Sequence, residues 1–167
     1  MILDLFQLTG RTALVTGGRR GLGQGIAVGL AEAGADIACV SRSGEADVTR
    51  ERVEAAGRRF LDIQVDLADP EARVGLVDRV TEELGPVDIL VNNAGGGGRE
   101  PAETFPMEIW RRQLEVHLTA SFDLSQQAAT GMLERGRGKI INIGSVMTFQ
   151  GGVDIPAYAA AKHAVAG

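Results

Sequence analysis

The chain has one tyrosine and two lysines, and Tyr158 stands four residues before Lys162 in Tyr158-Ala159-Ala160-Ala161-Lys162. On a helix, positions i and i+4 share a face. A free phenol titrates near 10 and is a poor proton carrier at neutral pH, whereas a neighbouring ammonium stabilises the phenolate. Such a pair suits the interconversion of an alcohol and a ketone. Ser145 follows an apolar run at 139–143, where its hydroxyl could hydrogen-bond an oxygen on which charge develops. Other chemistries fit worse. Ile143-Gly144-Ser145-Val146-Met147 lacks the second glycine of a nucleophile elbow. Two histidines, His117 and His163, with scattered acids give no metal-ligand spacing, so no metal is expected. A single cysteine excludes a disulfide framework.

These groups need elements to hold them. Short apolar runs rich in Val and Ile occur at 13–16, 37–40, 61–65, 89–91 and 139–143, each too short for a helix. Amphipathic stretches lie between them. One covers 22–33, and another opens at Asp69-Pro70 with Asp as N-cap, Pro in the first turn and a stripe of Val74, Val77, Val80 and Leu84. A long helical region, one helix or two, covers 107–133. Strands alternating with helices predict an α/β fold, a doubly wound parallel sheet of Rossmann-like type, in one domain over 1–167. Ligands of such sheets bind beyond the carboxyl ends of the strands.

Glycine makes up 23 of 167 residues, about twice the usual ~7%. Ten glycines fall in two clusters, one over residues 17–29 and one at 95–98. The first follows a strand and opens a helix, in Thr16-Gly17-Gly18-Arg19-Arg20-Gly21-Leu22-Gly23. Glycines there let backbone N–H groups approach a pyrophosphate, and the helix N-terminus favours negative charge. No Gly-Lys-Ser/Thr triplet marks the alternative phosphate loop. The local residues therefore predict a dinucleotide site. Cofactor choice is read at the end of the second strand, Ser41-Arg42-Ser43. Asp36 sits at the wrong, amino end of that strand, and Glu45 is a weaker candidate for a ribose. Arg42, helped by Arg19 or Arg20, could pair with a 2′-phosphate, which favours NADP(H). The alternative is that these are surface arginines. Asp66, with Leu67 after it, stands where an adenine amino group could reach it, or serves simply as a loop cap. Asn92-Asn93-Ala94-Gly95 ends the fourth run, where an Asn side chain could tie two loops together.

The formal charge of −5 argues against nucleic-acid binding. No apolar run approaches the ~18 residues of a membrane span, and the amino terminus shows no basic region or cleavage pattern. A cytoplasmic protein acting on a small molecule is expected.

Together these residues resemble the short-chain dehydrogenase/reductase family. The resemblance rests on the Thr16–Gly23 loop, Asp66, the 92–95 tetrad, Ser145, Tyr158-x-x-x-Lys162 and the spacing of 13 between Ser145 and Tyr158. It covers the whole chain. Closer similarity is to bacterial members acting on sugar acids, through Met1-Ile2-Leu3 with Phe6, residues 21–25, 57–61 and 149–152. The resemblance implies that Tyr158 is the catalytic acid/base, that Lys162 binds the nicotinamide ribose and tunes Tyr158, and that Ser145 orients the substrate. It implies NAD(P)(H), with NAD(H) common among the sugar-acid members, and a homodimer or homotetramer. Fatty-acyl-type 3-oxoacyl reductases share the catalytic set. Where the family usually has Asn, this sequence has His117, which could still hold a water, with a charge state sensitive to pH near neutrality. Arg99 or Arg112 could meet a substrate carboxylate, the alternative being that both are surface charges. Five strands are visible where the resemblance implies seven, so the domain is expected to be incomplete at its carboxyl end. A nucleotide-binding fragment without catalysis is the competing reading.

Overall fold

The computed structural model describes residues 2–167, apart from the Leu3 side chain. Met1, part of the amino-terminal resemblance, lies outside the described residues. Five strands form one parallel sheet: β1 (Thr12–Thr16), β2 (Asp36–Ser41), β3 (Phe60–Gln64), β4 (Val87–Asn92) and β5 (Lys139–Asn142). Their order is β3-β2-β1-β4-β5. The chain winds outward through β2 and β3, then returns to β4 on the other side of β1. The gap between β1 and β4 is thus the point where the direction of winding reverses, and ligand crevices open there in such sheets.

Every residue of β1, β2 and β4 is buried. Strands covered on both faces need apolar residues at every position, which is why they read as unbroken apolar runs. Helices α1 (Gly21–Glu32) and α2 (Asp47–Ala55) cover one face with Ala27, Ala31 and Val53. On the other face, α4 (Leu76–Leu84) brings Leu76, Val77 and Val80, and α6 (Ala120–Glu134) brings Leu124, Ala128 and Met132. Each fully buried Leu, Ile or Val side chain contributes about 1.5–3 kcal/mol of transfer free energy.

The structure corrects the expected helix over the 69–84 region. Asp69 does cap it, accepting from the Glu71 N–H at 3.1 Å. But α3 (Pro70–Arg73) lasts one turn and ends at Val74, because Gly75 takes φ +67 and starts α4 afresh. Val74 therefore leaves the predicted stripe and is 75% exposed. The long helical region is α5 (Met107–Leu114) running through a π-helical turn (Glu115–Thr119) into α6. Helix α7 (Pro156–Ala166) closes the described chain. Among the described residues no helix is long and apolar enough to cross a membrane.

Candidate active site

A cleft of 670 Å³ opens over the carboxyl ends of the strands. Its walls are Gly17 and residues 19–23 after β1, 40–43 after β2, 65–67 after β3 and 93–98 after β4, with Ile109, Arg112, Gln113 and Val116 from the following helix. All residues from Gly17 to Gly95 expected to bind a cofactor line it: Gly17, Arg19, Arg20, Gly21, Leu22, Gly23, Ser41, Arg42, Asp66, Leu67, Asn93, Ala94 and Gly95. Tyr158 and Lys162 do not.

The glycine loop is shaped for close approach. Gly17 and Gly21 have φ +69 and +59, a region where side chains are strained. Gly23 packs against the Gly17 carbonyl so closely that a Cβ has no space. The N-terminus of α1 has no side-chain cap, so its free N–H groups face the loop and fit an anion such as a pyrophosphate. Thr16 fixes the floor: its hydroxyl donates to the Val91 carbonyl and accepts from the Asn93 and Ala94 N–H groups at 3.0 and 2.9 Å. Asn93 Nδ2 donates back to the Thr16 carbonyl at 2.9 Å. Thr16 was not singled out by sequence, although it stands at the start of the loop motif.

At the β2 end, Arg19 reaches across to Ser43 Oγ (3.0 Å) and to the carboxylate of Glu45 (3.4 Å). Arg42 is exposed and makes no ion pair among the described residues. Asp36 lies far from this edge. Burial pushes its carboxyl up, but hydrogen bonds from the Arg59 N–H and from the Arg59 and Arg58 guanidinium groups outweigh that and hold it below its usual range. Arg112 is already engaged, its Nη2 standing 2.9 Å from both oxygens of Asp66. Arg112 thus lines the cleft already paired with an acid rather than standing as a lone cation. Arg99 is exposed and does not line the cleft.

Beyond the β4 and β5 ends, three predicted groups converge. His117 meets Tyr158 edge-on, ring centroids 5.3 Å apart at 80°. Lys162 Nζ stands 5.8 Å from the Tyr158 ring centroid and donates to the Ile143 carbonyl at 2.6 Å. Burial lowers the Lys162 pKa from its ordinary value. Ser145 caps the turn after β5, its Oγ accepting from the Met147 N–H at 3.1 Å. Thr148 Oγ1 then donates to the Lys162 carbonyl at 3.3 Å, so that turn and α7 are tied in both directions. His117 is 4% exposed. Its Nε2 stands 3.3 Å from the Gly96 nitrogen and 3.0 Å from the Gly96 oxygen, and its Nδ1 has no partner. Burial lowers its pKa, the Gly96 hydrogen bond opposes that, and the charge of Lys162 adds to it.

Relatives of known name share this chain's sequence and fold. The 2-dehydro-3-deoxy-D-gluconate 5-dehydrogenase of Bacillus subtilis is 51% identical over 98% of this chain and 64% of its own length. The chain thus spans just under two thirds of that relative. The crystal structure of a gluconate 5-dehydrogenase from Burkholderia cenocepacia, in complex with NADP and tartrate, superposes with a TM-score of 0.90 at 39% identity, covering 99% of this chain and 65% of that one. A 3-oxoacyl (acyl-carrier-protein) reductase from Agrobacterium tumefaciens with NADP bound gives 0.92 at 34% identity, covering 99% and 64%. The short chain dehydrogenase model matches residues 11–167, from the approach to β1 to the end of α7, and the chain belongs to that family.

Proposed function

We propose that the chain carries the cofactor site and catalytic groups of a cytoplasmic NAD(P)(H)-dependent oxidoreductase that interconverts a hydroxyl and a keto group on a sugar acid of the deoxygluconate type. The observation that carries it is the convergence of His117, Tyr158 and Lys162 beyond the β4 end of the cleft. Nicotinamide, when bound, supplies or accepts the hydride. The free N–H groups of α1 and the loop from Gly17 to Gly23 hold the pyrophosphate, and Ser41, Asp66 and Leu67 wall the adenosine end. Arg42 and Arg20, with no ion pair of their own among the described residues, favour a 2′-phosphate and hence NADP(H). Arg19 is partly neutralised by Glu45.

Tyr158 passes the proton to or from the substrate oxygen at its phenol oxygen. The Lys162 ammonium beside the ring favours negative charge there as the proton leaves. Ser145 accepts a hydrogen bond at Oγ, so its own hydrogen stays available to the substrate oxygen as charge develops. His117 braces the Tyr158 ring and the Gly96 peptide. The sugar-acid names of the relatives support the substrate class, and a homodimer or homotetramer accords with the family.

The test is the nicotinamide absorbance change with 2-keto-3-deoxygluconate-type substrates and each cofactor. Tyr158→Phe is expected to cut turnover by roughly 10²–10⁴ while retaining cofactor binding. A silent wild-type protein removes the catalytic reading. Binding without turnover leaves a nucleotide-binding unit. Turnover of acyl thioesters alone transfers the assignment to a 3-oxoacyl reductase, the second reading that the Agrobacterium structure keeps open.

A further inference from the structure

Gln113 is a buried amide with nothing to bond. It is 5% exposed, and neither Oε1 nor Nε2 has a hydrogen-bond partner. A buried amide left unpaired destabilises the state that holds it, and leucine would fill similar space without that penalty. The side chain therefore points to a second state in which the amide is used.

The neighbours show what would use it. Helix α5 and the π-helical turn run beneath the glycines after β4. His117 holds the first part of that run: its Nε2 bonds the Gly96 peptide, and Gly95 has no space for a Cβ beside the ring. Gln113, one turn earlier, lies under the second part. Its Nε2 is 3.9 Å from where a Cβ would stand on Gly97, and equally on Gly98. The peptide groups of Gly97 and Gly98 make no hydrogen bond among the described residues. Both Gln113 and the glycines line the cleft. One helix face thus offers two clasps to one run, the first closed and the second open.

We propose that Gln113 is a positioning residue: when a dinucleotide fills the cleft, its Oε1 accepts from a Gly97 or Gly98 N–H, its Nε2 donates to a carbonyl of the run, and the run is drawn onto the ligand. The absence of side chains at 95–98 gives the backbone freedom to make that movement. This inference rests on the dinucleotide reading of the cleft.

The experiment compares wild-type protein and Gln113→Leu, with and without NADP(H). Without ligand, the variant melts at the same temperature as wild type or higher, because an unpaired buried amide is gone. Its dissociation constant for NADP(H) rises about tenfold, the loss expected for one to two hydrogen bonds. In wild-type protein, hydrogen–deuterium exchange of the segment 95–99 slows on NADP(H) binding, a readout that does not depend on the variant folding. Equal affinities for the two proteins, or unchanged exchange in a wild type that binds, overturn the clasp and leave the dinucleotide site standing. A wild type that binds neither NADP(H) nor NAD(H) overturns both.

Discussion

Gly95 has no room for a side chain because His117 occupies the space. That fixes a physical link between the β4 end and the Tyr158 ring: moving His117 disturbs the edge-on contact at 5.3 Å and the bond to Gly96 together. Gly95→Ala is expected to destabilise the fold by about 1–3 kcal/mol, the range for overpacking. Because the clash is with one ring, combining it with His117→Ala should cost less than the sum of the two single changes. Denaturant unfolding of the three variants measures this, and strict additivity would show that Gly95 is constrained by something other than His117.

At the scale of elements, the π-helical turn matters most. Its extra residue falls at Glu115–Thr119 and carries His117 inward, and such turns recur at functional sites. Arg73 pins it. This guanidinium, 2% exposed, bonds Glu115 at 2.8 Å, Asp123 at 2.7 Å and the Leu67 carbonyl at 2.5 Å. Arg73→Met leaves both carboxylates without their cation, Asp123 keeping only the hydrogen bond from Gln127 Nε2 at 2.8 Å. Since these are about one-third exposed, the expected loss is about 2 kcal/mol, below the range for a fully buried pair; chemical denaturation measures it. The sequence could announce some of this and not the rest. Strands β1, β2 and β4 were legible because burial on both faces demands unbroken apolar runs. The glycine loop and the Tyr158–Lys162 spacing were legible because their chemistry is local. Helix α2 was missed because it buries only Thr49 and Val53, too few for a stripe. The break at Gly75 rests on a positive φ that a glycine permits without demanding, and the pairing of Arg112 with Asp66 on a contact that sequence spacing does not encode. Gln113 left a faint signal, a polar residue four positions before His117 on a face that must be buried.

Across the whole molecule, the reversal of winding between β1 and β4 gathers the loop ends at one edge, and it also buries there a titratable group that most proteins leave in water. His117 faces the Gly96 peptide, the Tyr158 ring and the charge of Lys162, and burial is the largest influence, lowering its pKa from 6.5. In the unfolded chain the imidazole takes a proton as pH falls through about 6.5, while in the folded chain it resists. The unfolded state then holds more protons, so stability falls as pH drops below 6.5 and stops falling from this source once the folded imidazole is also charged. His117→Asn removes that contribution, whereas carboxylates elsewhere titrate alike in both proteins. The melting temperature of wild type should therefore drop further than that of His117→Asn between pH 7.5 and 5. Each 1 kcal/mol of difference between the two proteins would open the gap by roughly 2–4 °C at this chain length. Parallel melting curves across that range would show that the imidazole takes up its proton as readily in the folded chain as in the unfolded one, and with it that burial beneath the glycine run does not hold it neutral.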